Sequence, residues 1–422
     1  MKKLITASIG SRMFDYVKQI AALGNRFAGS KAEDDAADFV SDSFGGSGFI
    51  VVKEDFPITA FYDEDSRVKV IGTDRVIPVR GMFYTVATPP DGLAGELAFV
   101  GDGSADDFKG VDLDGKIAIF HRGDENDHSP MVNRICRAAK AGAIGAIMIN
   151  SAPWIYVPTL ESGLFEFEKR FVQMEPKNIP AIVINSIDGA FLLEKMKTAP
   201  VSVNMLADTT LGAGRTCNVR GLKFGTELPN ERILVYGHRD TAGSPGANDN
   251  GSGTVIMLEL ARILRELPMK RTVELMSIGA EEQLASAGSH AYIAAHQEDL
   301  QEIKASVELD MVAAGNAVCI MTGGAWPDID IRYPEKLCAY LMDTSKELGY
   351  HFEYDYSTMA TPDSGRFAAA GVPTTWIWAP NDSHYHSSED TPDKVDANKL
   401  KAIADLMATA IYDLANAGEI KW

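Results

Sequence analysis

The chain has 422 residues, room for two or three domains with buried cores at the usual ~100 to 200 residues each. Asp and Glu outnumber Lys and Arg by 59 to 40, a net charge of −19. That excludes a duplex nucleic-acid binder, whose affinity rests on cations against phosphates, and disfavours attraction to an anionic membrane. With 45% hydrophobic and 23% charged residues the chain is globular rather than fibrous or disordered.

The opening MKKLITASIGSRMF carries two lysines, but Thr6, Ser8, Gly10 and Ser11 break its apolar stretch, which is too weak for a secretory signal. No run approaches the ~20 apolar residues of a membrane span. A soluble, cytoplasmic protein is expected. Cys136, Cys217, Cys319 and Cys338 form no CxxC pair, so they are expected to be free thiols rather than disulfides or thiolate metal ligands.

In chain order, Phe14, Val17, Ile20 and Leu23 recur at helical spacing until Gly24 ends the run. Ser30 then caps a second predicted helix, KAEDDAADFVSDSF, with acidic residues in its first turn. After Gly45 to Gly48 comes an extended stretch, FIVVKEDFPI. From about Tyr62 to Ala207 the texture changes to short strands and turns, which marks an insertion. From Asn230 onward, apolar runs (ERILVYGH, RTVELMSIGA, ASVELDM, VPTTWIWA) alternate with the amphipathic stretches TVIMLELARILREL and ANKLKAIADLMATAIYDLANA. That alternation predicts a mostly parallel sheet flanked by helices.

Ligands of such sheets gather at the carboxyl ends of the strands. There the apolar runs stop at His238-Arg239-Asp240, at Glu281-Glu282 and at Asp310. The turn SPGANDNGSG adds Asp249, and SHYHSSED adds His384 and His386. Taken singly, each has an ordinary reading: a satisfied polar histidine, a solvated helix start, a helix cap, a turn former. Five strand ends or loops converging on one edge with His, Asp and Glu, and without cysteine, favour a functional site.

At these residues the sequence resembles the M28 family of zinc peptidases. The matching pieces are HRDTAGSPGANDNGSGTVIMLELAR, IGAEEQLASAGSHAY, ELDMV, TPDSGRFAAAGVP and HYHSSEDTPDKVD, covering most of Asn230 to Asp396 in the family's order. The resemblance implies two zinc ions per chain. Asp249 would bridge them, with His238 and Asp310 completing one site, Glu282 and His386 the other, and Glu281 as general base. His386, before Ser387, holds the family's histidine position in preference to His384. Asp240 would orient His238 from behind, and Tyr385 would either hydrogen-bond the oxyanion or simply form an aromatic wall. Imidazole and carboxylate ligands without thiolate suit a catalytic zinc open to water, and one shared carboxylate suits a two-metal site. His121, His128, His290, His296 and His351 are expected to be ordinary surface or core residues.

The insertion looks like a protease-associated (PA) domain, on GVDLDGKIAIFHRGDENDHSPMVNRICRAAKAGAIGAIMIN followed by IPAIVIN. In the family that module lies over the cleft and shapes substrate access. The expected fold is therefore α/β, a mostly parallel central sheet flanked by helices over residues 1–62 and 208–422, with a β-rich PA domain at 63–207. The expected activity is removal of N-terminal residues from peptides with a free N-terminus, through a zinc-bridging hydroxide and Glu281. Three alternatives stay open: a carboxypeptidase or dipeptidase using Arg366 as a carboxylate anchor, an inactive receptor-like relative, and a single-zinc cyclase. Arg239 is expected on the solvent side of its turn.

Overall fold

The computed structural model describes residues 2–123, 131–155, 179–282, 286–326, 329–358 and 362–422; His128 lies outside them. The chain forms two compact units, Met1–Ile58 with Gly214–Trp422, and Thr59–Ala213. Against the expected insertion of 63–207, the break in packing comes earlier at one end and later at the other. It falls inside the strands Ile50–Asp63 and Thr209–Lys223, which continue through it without any change of composition.

The first unit is built on a nine-stranded sheet. Its centre is parallel, in the spatial order Arg271–Ile278, Leu228–His238, Ile303–Leu309, Thr374–Trp378. Its flanks are antiparallel, through Thr209–Lys223 on one side and Cys319–Trp326 on the other. The central strands are buried on both faces, which is why they read as continuous apolar runs. Alternation still sorts their side chains. Ile233 and Val235 join the core beneath helices Gly10–Ala21, Lys31–Gly46, Gly251–Leu264, Glu335–Glu347 and Ala397–Asn416. Leu234 and Tyr236 join Tyr292 and Phe367 beneath helices Ala287–Ala295 and Asp363–Ala369. Each such fully buried aliphatic side chain contributes roughly 1.5–3 kcal/mol.

The helix expectations hold at the N-terminus. Val17 and Ile20 are buried on the first helix, Gly24 follows it with φ +78°, and the Ser30 side chain accepts from Glu33 N at 3.2 Å. All four cysteines are free and buried. Among the described residues no helix is long and apolar enough to cross a membrane.

Among the described residues the second unit forms an eight-stranded sheet with its own core, centred on Ile117, Ile119, Ile147, Ile149, Ile182 and Ile184. Strand Ile117–His121, the Arg122-Gly123 turn, helix Met131–Lys140 and strands Gly145–Ile149 and Ala181–Ile184 follow one another in the expected order. Gly142 serves the joint with φ +99°, where a Cβ would come within 3.0 Å of the Asp114 backbone.

Candidate metal centre

The strand order decides where the site forms. From Leu228–His238 the chain passes through helix Gly251–Leu264 to the neighbouring strand Arg271–Ile278 on one side. It then crosses back through helix Ala287–Ala295 to Ile303–Leu309 on the other. The direction of winding thus reverses at the carboxyl end of the first strand, and connections leaving on opposite sides open a crevice there. The register keeps the ends level, with His238 beside Ile278 and Leu309 beside Ile377.

Five of the expected residues meet in that crevice. His238 Nε2 lies 3.2 Å from Asp310 Oδ1 and 3.3 Å from Asp249 Oδ1. His386 Nε2 lies 3.1 Å from Asp249 Oδ2 and 2.8 Å from Glu282 Oε2. Each Asp249 oxygen therefore faces a different imidazole, and each imidazole has a second carboxylate beside it. His384 stands apart, its Nδ1 3.5 Å from Asp382 Oδ1.

Two further carboxylates hold the loops that carry these residues by their backbones. Asp240 accepts from Glu281 N at 3.0 Å and Glu282 N at 3.1 Å. Asp390 does the same for Asn248 N at 2.8 Å and Asp249 N at 3.1 Å. This refines the expected role of Asp240: His238 Nδ1 lies 3.2 Å from its backbone oxygen but 3.7 Å from its carboxylate, so the carbonyl orients the imidazole. Sequence reasoning took one residue from the run Asn248-Asp249-Asn250 and missed its neighbours. Asn248 Oδ1 accepts from Ala313 N and Ala314 N, and Asn250 donates to Leu309 O while capping Gly253 N. The helix abuts the Asp310 strand so closely that a Cβ on Gly253 would sit 2.2 Å from Leu309 O, which only glycine tolerates. Ala280, Met311 and His386 all hold positive φ, so strained backbone adjoins or carries a site residue on three of the loops.

The electrostatics describe an acidic cluster short of positive charge. Burial and then neighbouring carboxylates raise Glu281, Asp310 and Glu308, push Asp363 up to about 6, and push Glu282 up to about 8. Burial favours a neutral Asp249, yet the facing His238 and His386 hold it well below the usual carboxylate range. Burial also works against charge on the two imidazoles, but Asp310 beside one and Glu282 beside the other raise both well above the usual histidine range. Among the described residues, Asp249 Oδ2 and Glu282 Oε1 are buried and accept no hydrogen bond. Buried oxygens of this kind, mixed with imidazole nitrogens and no thiolate, fit hard-to-borderline divalent cations such as zinc.

The remaining expected residues fall as follows. The Glu281 carboxylate is within 3.4 Å of Ser286 Oγ. Tyr385 is partly exposed and its ring stacks on the His386 imidazole, with centroids 3.6 Å apart. Burial, and then the charge of Arg366, lower the pKa of His290. Arg239 is a correction: it is fully buried and ion-paired with Glu33, and it donates to Ser277 O and Cys217 O. The turn rotates it under the sheet end because Glu33, far away in sequence, supplies its counter-charge.

Comparison with known proteins meets this geometry. Residues 219–411 match Peptidase family M28, and residues 82–192 match the PA domain. The chain carries the catalytic match of peptidase family M28. It is a hydrolase of peptides with a PA domain inserted between the parts of its catalytic unit. It is 26% identical over 413 residues to aminopeptidase YwaD of Bacillus subtilis, across 93% of this chain and 82% of that one. It is 25% identical over 303 residues to carboxypeptidase Q of Bos taurus, across 69% of this chain and 62% of that protein. Its fold is shared with the crystal structure of BSAP, a zinc aminopeptidase from Bacillus subtilis. There the identity is 24%, the TM-score 0.78, and 99% of this chain and 98% of that one are covered.

Proposed function

We propose that this M28 peptidase holds two zinc ions and removes N-terminal residues from peptides. The observation that carries the proposal is Asp249, with one oxygen toward His238 and the other toward His386, and Asp310 and Glu282 completing two half-sites that share one carboxylate. His238, Asp249 and Asp310 would hold one ion, and Asp249, Glu282 and His386 the other. When bound, the ions act as Lewis acids on the scissile carbonyl and make water nucleophilic at neutral pH. Glu281 takes a proton from the attacking water and returns it to the leaving amine. Burial raises its carboxyl well above the usual carboxylate range. Asp240 keeps Glu281 and Glu282 apart in role by fixing both backbone amides. Tyr385 stacks on His386 and is open to solvent, which supports its phenol as the group that meets the developing oxyanion.

The direction of attack follows from charge. A crevice lined by Asp249, Glu281, Glu282 and Asp310 welcomes a substrate ammonium, whereas a substrate carboxylate needs a free cation. Arg239 is committed to Glu33, which leaves Arg366 as the cation that the carboxypeptidase alternative would need. Acetylating the N-terminus of a dipeptide amide should therefore cost about 2 kcal/mol, roughly 30-fold in kcat/KM. Equal values with and without the acetyl group would reject the aminopeptidase reading. Cleavage that requires a free C-terminal carboxylate would install the carboxypeptidase reading in its place.

A further inference from the structure

The segment between the first two helices contributes a residue that the sequence did not single out. Arg26 is fully buried, and all its guanidinium bonds among the described residues end on backbone carbonyls. Nε donates to Arg239 O at 2.8 Å, NH1 to Pro245 O at 2.7 Å, and NH2 to Gly246 O at 3.0 Å. NH1 also reaches Ile20 O and Gly24 O. Arg239 follows His238 directly, and Gly246 lies three residues before Asp249, so one rigid plane ties the two loops that carry these residues.

We infer that Arg26 is a positioning residue of the metal centre, whose guanidinium sets the spacing between His238 and Asp249. The inference rests on the metal-centre reading proposed above. Two observations support it beyond the bonds themselves. Gly246 has φ +61°, and a Cβ there would lie 2.6 Å from Arg26 NH2 and 2.2 Å from Thr241 Cγ2, so the loop is shaped around the guanidinium. Gly246 O also accepts from Gly251 N at 3.0 Å, which passes the constraint to the helix that starts after Asp249. A buried cation without a touching counter-ion is costly. Burial lowers Arg26 only to about 10, because Asp390, Asp240, Asp249 and Glu282 act on it through space, so it stays charged beneath the acidic cluster at neutral pH. Lysine offers three donors from one point and cannot span these carbonyls as the planar fork does.

The test compares Arg26→Lys with Thr241→Val in the full chain. Thr241 Oγ1 accepts from Arg26 N at 2.8 Å, so its loss loosens the same seam without touching the guanidinium. Zinc affinity is measured by competition with a chromophoric chelator, alongside Tm, kcat and KM. Arg26→Lys should lose 10- to 100-fold in zinc affinity, the scale for residues that support metal ligands. At saturating zinc its kcat should fall by more than its KM rises. Thr241→Val should lose Tm while keeping zinc affinity within about twofold of the parent chain. Wild-type zinc affinity in Arg26→Lys, or equal losses in both variants at equal Tm, would overturn the inference and leave Arg26 a structural residue. If Arg26→Lys fails to fold, the unmodified protein decides the matter through the Nε–H resonance of its buried Arg26. Zinc added to the metal-free protein should shift it, and an unmoved resonance overturns the inference. An unmodified protein that takes up no zinc rejects the metal-centre reading instead, a different result from both.

Discussion

Asp249→Ala should reduce the zinc content from about two ions per chain to well under one, and the peptidase activity with it. The reason is the division of ligands. Without the shared carboxylate, one half-site keeps only His238 and Asp310 and the other only Glu282 and His386. Two protein ligands fall short of the three that catalytic zinc sites ordinarily hold. Removing Asp249 also leaves the two facing imidazoles without the carboxylate between them. Metal analysis after gel filtration reads the outcome. Retention of both ions would show that Asp249 is not the bridge.

Glu281→Gln and Glu282→Gln should separate the adjacent carboxylates by role. Both residues keep their backbone bonds to Asp240 in these variants, so the loop geometry is preserved and the side-chain chemistry alone changes. Glu281→Gln should keep its zinc while kcat falls ~10²-fold or more, the scale of a removed general base. Glu282→Gln replaces an oxygen 2.8 Å from His386 Nε2 with a neutral amide, so it should lose zinc affinity first and activity as a consequence. Excess zinc should restore much of the second variant's activity and none of the first's. The opposite pattern would exchange the two assignments.

Much of this site was legible in the sequence because parallel strands, buried on both faces, announce themselves as unbroken apolar runs, and the residue after each run falls at the ligand-gathering edge. His238, Glu281, Glu282 and Asp310 were singled out that way, and the fold class followed from the same alternation. What was not legible is the scaffolding of the loops. Arg26 acts on carbonyls some 215 residues away, Asp390 on amides about 140 residues away, and Glu33 on Arg239 across a similar gap to that of Arg26. No periodicity reports such partners, since each contact joins a side chain to a group brought near only by the finished sheet. Arg239 was read as solvent-facing for the same reason: the turn was visible and its buried counter-charge was not. The packing division lies a few residues from the expected ends of the insertion because strands Ile50–Asp63 and Thr209–Lys223 run from one unit into the other, leaving no compositional break there.

Diffraction from zinc-loaded crystals at the zinc absorption edge addresses the two-ion centre most directly. Two anomalous maxima are expected, one among His238, Asp249 and Asp310 and one among Asp249, Glu282 and His386, and both should vanish on data from the Asp249→Ala protein. A single maximum, or zinc bound away from these five residues, would contradict it.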